Sequence, residues 1–196
     1  MDIFEVAKIA EMSRSTPDFR PEWLERMRDT DSQYAVYYRF LYELSRQMKP
    51  AWILETGTRL GLSAAQLAMG SPTSKVVTID IDPQSRGRFS SVENLKNLSN
   101  VIPITADSRK AKELFPKDCG QFGIIYLDSD HTYDVVMSEF KIYREMLASG
   151  GVMVFDDIAL NPEMRRFWSE VPQPKVELNF LHRLCGAGFG AYIRAK

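Results

Sequence analysis

The chain of 196 residues has the usual length of one domain and can bury a sizeable core. Its 25 basic and 26 acidic side chains leave a formal net charge of -1, so the overall charge favours neither a nucleic acid nor a membrane surface, and a small ligand is expected. No apolar run is long enough to cross a bilayer, and no secretory signal is expected. Cys119 and Cys185 form no Cys-x-x-Cys or zinc-like pattern, which predicts free thiols in a cytoplasmic protein.

The first fifty residues are predicted to form an N-terminal helical extension, residues 1–50. A narrow apolar stripe predicts a helix from Asp2 to Met12, and a longer helix is expected to end at about Met48, before a proline. Thr30 and Gln33 have the spacing of a capping box at the start of this longer helix. Its aromatic stripe is typical of a core or a dimer contact, which leaves a homodimer open.

From residue 52 onward, strands alternate with helices. The predicted strands cover 52–55, 76–80, 101–105, 123–128 and 152–156, and the predicted helices cover 62–69, 83–98, 108–115 and 132–148. Gly150-Gly151 is expected to end the last of these helices. The alternation predicts right-handed crossovers and a parallel sheet that is covered on both faces.

After residue 156 the pattern changes. A short helix is predicted over 161–171, followed by strands over 175–181 and 189–194, and a glycine-containing link between these strands indicates an antiparallel hairpin. The expected fold class is therefore α/β, with a Rossmann-like, doubly wound, mostly parallel sheet, a C-terminal antiparallel hairpin and N-terminal helices. We expect one domain overall, with its sheet in residues 51–196.

Acidic residues follow the predicted strands. Four of the first five strands end in an acid, and Asp107 closely follows the third; the four acids are Glu55, Asp80, Asp128 and Asp156. Because the carboxyl ends of parallel strands share one edge of a sheet, these acids should surround a single crevice. Asp80 lies near the roughly 20-residue offset after Glu55 at which an acid binds ribose hydroxyls in nucleotide folds. Asp107, Asp130 and Asp157 fit helix N-caps equally well.

The glycines between the first strand and its helix bear on the ligand. Gly57 and Gly61 are separated by three residues, whereas the dinucleotide fingerprint requires Gly-x-Gly-x-x-Gly so that the backbone can approach a pyrophosphate. The spacing therefore favours another nucleotide-like cofactor over a dinucleotide.

Two stretches of the sequence resemble a known family. Glu55-Thr-Gly-Thr-Arg-Leu-Gly61 resembles the first motif of class I S-adenosylmethionine (SAM) dependent methyltransferases. Leu127-Asp-Ser-Asp-His131, with Gly150-Gly-Val-Met-Val-Phe-Asp-Asp157, resembles the metal-dependent O-methyltransferases that include catechol O-methyltransferase and the antibiotic and macrolide sugar methyltransferases. The resemblance covers roughly 52–157 and implies that residues 51–196 form a SAM-binding methyltransferase domain.

The resemblance also implies roles for single residues. The methionine half of SAM would be lined by Glu55, Gly57, Thr58, Gly61 and Ser63. The remaining cofactor-binding positions would be Asp80 at the ribose, Asp107 and Ser108 at the adenine, and Asp128. Asp128, Asp156 and Asp157 match three oxygen ligands of a divalent cation, and such hard ligands suit Mg²⁺. His131 matches the general base, a task that suits a side chain whose pKa lies near neutral.

The expected activity is thus Mg²⁺-dependent O-methylation of a small hydroxylated molecule. SAM and Mg²⁺, or another divalent cation, are the expected cofactors, and neither a nucleic acid nor a membrane is an expected partner. Two alternatives stay open, an NAD-dependent oxidoreductase and a non-catalytic protein that binds SAM or a partner. Segments 1–46 and 158–174 identify no acceptor, since Phe167 and Trp168 fit an aromatic pocket and buried packing equally well.

Overall fold

The computed structural model describes residues 1–15, 35–85, 98–181 and 187–195. The capping box predicted for Thr30 and Gln33, most of the helix predicted over 83–98, and Cys185 lie outside the described residues. Cys119 is a free thiol.

The described elements follow the predicted alternation of strands and helices. The helices are α1 (Ile3–Ser15), α2 (Ala35–Met48), α3 (Leu62–Gly70), α4 (Tyr133–Arg144) and α5 (Pro162–Glu170), with 3₁₀ helices at Ser108–Leu114 and Asn179–Leu181. The strands are β1 (Trp52–Thr56), β2 (Lys75–Asp80), β3 (Val101–Thr105), β4 (Phe122–Leu127), β5 (Leu147–Asp156), β6 (Lys175–Glu177) and β7 (Phe189–Ile193). None of the described helices is long and apolar enough to span a bilayer.

The seven strands form one sheet in the order β3-β2-β1-β4-β5-β7-β6. The first five strands are parallel, and β7 runs antiparallel to both β5 and β6. This arrangement confirms the predicted mostly parallel sheet with a C-terminal antiparallel pair. The chain reverses its direction across the sheet between β1 and β4, and ligands of open α/β sheets bind at the carboxyl ends of the strands at such a point.

Apolar side chains cover both faces of the sheet. On one face, Ile53 of β1 packs in a cluster with the buried residues of α1, α2 and α3, including Phe40 and Leu67. On the other face, Leu54 packs with residues of α4 and α5. Successive residues of a strand point to opposite faces, which is why a continuous apolar run serves both clusters. Phe167 and Trp168 of α5 belong to the second cluster, so both side chains pack in the core.

The boundary between α4 and β5 differs from the prediction. The helix ends at Arg144, not at residue 148, and β5 begins at Leu147. Gly150-Gly151 therefore lies within β5 and does not end the helix. There, the N–H of Gly150 donates to the carbonyl of Arg194 at 2.9 Å, and the N–H of Arg194 donates to that of Gly151 at 3.1 Å. Pairing with the distant C-terminal segment thus decides the local structure.

Candidate active site

The turn after β1 is packed against the end of β4. Gly57 has a φ of 90°, and its N–H donates to the carbonyl of Ile79 at 2.8 Å. A Cβ at this position would lie 1.8 Å from the carbonyl oxygen of Asp128. Gly61, with a φ of 75°, is the N-cap of α3. The first of these glycines is required both by its backbone conformation and by the close approach of two chain segments.

Asp80, at the end of β2, is held by backbone donors. Its Oδ2 accepts a hydrogen bond from the N–H of Arg59 at 2.7 Å, and its Oδ1 accepts one from the N–H of Asp82 at 2.8 Å. Arg59 itself has a φ of 44°. The glycine turn and the predicted ribose-binding acid therefore form one connected unit.

A cavity of about 460 Å³ opens at the carboxyl ends of β1 to β4. Six of the predicted site residues line it, namely Gly57, Asp80, Asp107, Ser108, Asp128 and His131. Three residues without a predicted role also line the cavity, namely Arg59, Ile81 and Arg109. Ile81 is 72% exposed, an unusual position for a large apolar side chain directly after a buried strand. The place of Ile81 directly after this strand was the feature of the sequence that could have indicated a residue of the cavity.

The other predicted residues of the turn are not among those that line the cavity; they are Glu55, Thr58, Gly61 and Ser63. The carboxyl group of Glu55 is fully buried and accepts a hydrogen bond from Thr78 Oγ1 at its Oε2, while its Oε1 has no hydrogen-bond partner. Burial raises the pKa of Glu55 to about 8, against the opposing effect of the nearby Ser63 and Thr78 hydroxyls.

Asp107 caps the 3₁₀ helix that follows β3. Its carboxylate accepts hydrogen bonds from the backbone N–H of Arg109 at 3.0 Å and from the guanidinium of Arg109 at 2.9 and 2.7 Å. These hydrogen bonds lower the pKa of Asp107. The residue is thus an N-cap, the alternative left open by the sequence, and it also lines the cavity.

A buried acid without a predicted role contacts residues that line the cavity. Glu139 of α4 accepts hydrogen bonds from the hydroxyls of Ser108 and Ser129 and, at 3.4 Å, from that of Thr56. Burial raises the pKa of Glu139. A signal was present in the sequence, because an acid three residues after Val136 lies on the apolar stripe of the helix.

Asp128, His131 and Asp157 form a cluster, and the first two of them also line the cavity. One possible ligand atom from each lies within 4.8 Å of the others. Nε2 of His131 is 2.9 Å from Oδ2 of Asp157 and 3.7 Å from Oδ1 of Asp128. This buried nitrogen nevertheless has no partner with hydrogen-bond geometry. The Asp128 and Asp157 carboxylates raise the pKa of His131 to about 10.

Asp156 is not part of this cluster, in contrast to the ligand set implied by the resemblance. Its Oδ2 accepts a hydrogen bond from Tyr126 Oη at 3.0 Å, and its Oδ1 accepts one from the N–H of Asp157 at 2.9 Å. Tyr126 Oη is also 3.2 Å from Oδ2 of Asp128. Asp156 still has strand geometry, whereas Asp157 has a φ of 56°, so the chain turns between them and only the second carboxylate lies beside His131.

Comparison with known proteins identifies the family. Residues 54–158 match the methyltransferase domain family. The chain belongs to this family. The rhamnosyl O-methyltransferase of Mycobacterium tuberculosis is 32% identical over 129 residues, which cover 61% of this chain and 50% of the relative. That of Mycobacterium leprae is 30% identical over 135 residues, covering 64% and 57%. The chain thus spans about half the length of the curated relatives that it matches.

Solved structures show that the fold is shared. A Podospora anserina methyltransferase bound to S-adenosylhomocysteine (SAH) has a TM-score of 0.70 at 18% identity, covering 100% of this chain and 97% of that one. A Bacillus cereus O-methyltransferase in complex with SAH has a TM-score of 0.64 at 20% identity, covering 97% and 89%. The comparisons give no support to the NAD-dependent oxidoreductase considered from the sequence.

One further contact ties the loop that carries His131 to α5. Asn161 caps this helix by accepting a hydrogen bond from the N–H of Met164 at 2.9 Å. Its Nδ2 donates to the carbonyl of His131 at 2.8 Å. A single amide therefore holds both the start of α5 and the loop that carries His131.

Proposed function

We propose that this methyltransferase domain transfers the methyl group of SAM to a hydroxyl of a small molecule, with a divalent cation at the acceptor. One observation carries the proposal. The cavity with the glycine turn and Asp80 shares two of its lining residues, Asp128 and His131, with the carboxylate–histidine cluster. A binding site for the donor and a group able to accept a proton are therefore adjacent.

The charge of the cavity supports SAM as the donor. Four carboxylates, those of Asp80, Asp107, Asp128 and Asp130, line it together with two arginines. SAM carries a sulfonium and an ammonium group, which such an acidic wall attracts, whereas it would repel a pyrophosphate.

The Asp128, His131 and Asp157 cluster fits a divalent cation. Two carboxylates converge with an imidazole nitrogen that has no hydrogen-bond partner, and carboxylate oxygens are ligands that Mg²⁺ and Mn²⁺ prefer. A bound cation would orient the acceptor and lower the pKa of its hydroxyl. Asp128 and Asp157 would hold this ion. Asp156, through Tyr126, would keep the carboxylate of Asp128 in place.

Proton removal falls to His131. A cation held by Asp128 and Asp157 would offset the carboxylate charges that raise the pKa of His131, so its Nε2 would be neutral and able to accept the proton of the acceptor hydroxyl. Asn161 holds the backbone of this loop. The remaining acceleration would come from fixed orientation of the two reactants.

A sugar hydroxyl is the acceptor that we favour. The support is the activity named for the mycobacterial relatives, which act on a rhamnosyl group. The test is incubation with SAM and Mg²⁺ or Mn²⁺ and a panel of rhamnosides, other sugars and catechols, with mass spectrometry of the products. We expect a rhamnoside to be methylated, and we expect this methylation to be lost when EDTA is added.

Other results would contradict parts of the proposal. Turnover that EDTA leaves unchanged would remove the cation from the mechanism. SAM binding without methylation of any compound would favour the non-catalytic alternative. Calorimetric binding of NAD in place of SAM would overturn the proposal as a whole.

A further inference from the structure

A carboxylate with no part in the proposed reaction lies directly behind the cofactor cavity. Glu139 has no exposed surface. Its Oε1 accepts hydrogen bonds from Ser108 Oγ and, at 2.7 Å, from Ser129 Oγ, and its Oε2 accepts one from Thr56 Oγ1 at 3.4 Å. Thr56 ends β1, Ser108 follows β3, and Ser129 follows β4. One side chain of α4 therefore links the carboxyl ends of three strands.

Two of the residues that carry these hydroxyls, Ser108 and Ser129, line the cavity. Ser108 lies beside Asp107, and Ser129 lies beside Asp128. A second side chain of α4 holds the same wall, because Tyr143 Oη donates to the backbone carbonyl of Ser108. The shape of this wall thus depends on where α4 places its buried polar groups.

We propose that Glu139 is a positioning residue that sets both the place and the hydrogen-bonding direction of Ser108 and Ser129 in the cofactor cavity. The inference rests on the proposed function, because it assigns the cavity to SAM. It concerns a residue that contacts neither the ligand nor the reacting atoms and acts through the two serines.

The direction of the hydrogen bonds follows from elementary chemistry. A carboxylate only accepts, and a serine hydroxyl has one proton, so Ser108 and Ser129 direct their protons to Glu139. Their oxygens are then left to accept hydrogen bonds from a ligand. SAM offers N–H donors in its ammonium group and its adenine amino group, which suit such acceptors. The hydroxyl donors in turn favour the ionised form of Glu139, against the effect of burial.

Calorimetric titration with SAH, using the full chain, tests the inference in a double-mutant cycle. Glu139→Met keeps the length of the side chain but removes both acceptor oxygens, so neither serine hydroxyl keeps its acceptor and we expect SAH affinity to fall about ten-fold. In a Ser108→Ala/Ser129→Ala background, the same substitution should change affinity by less than about two-fold, because the groups through which it acts are absent. Glu145→Met is the matched control, since Glu145 lies at the end of α4 with a side chain 73% exposed.

Thermal unfolding shows whether each variant folds, and the comparison of the two backgrounds separates this role from a merely structural one. A structural role predicts an equal loss of affinity in both backgrounds, and that result would overturn the inference, as would unchanged SAH binding by Glu139→Met. If Glu139→Met does not fold, Glu139→Asp serves instead. It keeps the charge but withdraws it by one methylene, and wild-type affinity in this variant would overturn the inference. A wild-type chain that does not bind SAH would refute the proposed function, and this inference with it.

Discussion

The two halves of the sheet edge hold their polar groups in different ways. At the ends of β2 and β3, hydrogen bonds satisfy the carboxylates: Asp80 accepts two from backbone N–H groups, and Asp107 accepts three from Arg109. At the ends of β4 and β5, the Asp128 and Asp157 carboxylates lie together with a histidine nitrogen that has no hydrogen-bond partner.

The contrast indicates that one half of the edge binds a ligand and the other half carries the chemistry. A half whose polar groups are already satisfied has one fixed shape and is suited to bind a ligand that is the same in every turnover. A half in which like charges are gathered gains most from an additional positive charge or a proton. Substitutions in the first half should therefore affect shape and binding, and those in the second should affect chemistry.

The largest effect is expected at Gly57, where the two halves touch. Gly57→Ala would place a Cβ 1.8 Å from the carbonyl oxygen of Asp128, at a φ of 90°. We expect SAH binding to be lost and the free energy of unfolding to fall by about 3 kcal/mol or more. Urea unfolding and calorimetry measure these effects. Gly120→Ala is the control, because the only atom of the described residues within 4 Å of its Cβ would belong to Trp52, at 3.8 Å. Wild-type binding by Gly57→Ala would show that the close approach is not required.

The next effect concerns Asp157 and the chemistry of the second half. Asp157→Asn removes the charge, while asparagine tolerates the φ of 56° found at this position. We expect methyl transfer to fall about 100-fold, and the rise in melting temperature caused by Mn²⁺ or Mg²⁺ to disappear, with SAH affinity little changed. Asp134→Asn, at an exposed acid of α4, is the control. A variant that keeps both turnover and its response to the cation would remove Asp157 from the site.

Much of this edge could be predicted from the sequence, because it depends on local patterns. The alternation of strands and helices determines the parallel sheet, and β3 was predicted with its observed bounds, Val101–Thr105. An acid at the end of a parallel strand must lie at that edge. Gly57 and Asp80 could thus be placed in the cavity before any contact was known.

The remaining features depend on contacts between distant parts of the chain. Whether Asp156 or His131 joins the cluster depends on a turn of the backbone after β5 and on Tyr126. Glu139 acquires its partners only when three strands are assembled. The start of β5 depends on pairing with the segment around Arg194. None of these follows from the spacing of residues along the chain.

Glu55, which lies in β1 between the two halves, differs from both, because its buried Oε1 has no hydrogen-bond partner. Its pKa of about 8 in the folded chain lies above the ordinary value of 4.5, so the folded state keeps a proton that the unfolded state has lost. This contribution to stability is complete below about pH 4.5 and is lost as the pH rises through about 8. When the pH rises from about 6 to about 7.5, the loss of this contribution should lower the free energy of unfolding by about 2 kcal/mol.

Glu55→Gln should remove this dependence on pH. Urea unfolding at the two pH values measures the change in each protein, and the difference between the two changes isolates Glu55. Glu113→Gln, at an exposed position of the 3₁₀ helix after β3, should retain the wild-type dependence. If Glu55→Gln and the wild type lose the same stability, Glu55 is already ionised in the folded chain.

The smallest effect is expected at Asn161, where one side chain serves both folding and chemistry. Asn161→Ala loses the cap on α5 and should cost about 1 kcal/mol of stability. Asn161→Ser keeps a capping oxygen, so its stability should stay within about 0.5 kcal/mol of the wild type. Both variants lose the donor to the carbonyl of His131, and both should slow methyl transfer by a similar few-fold factor. If turnover instead follows stability, with Asn161→Ser fully active, the amide acts only as a helix cap, and the loop of His131 is held by other contacts.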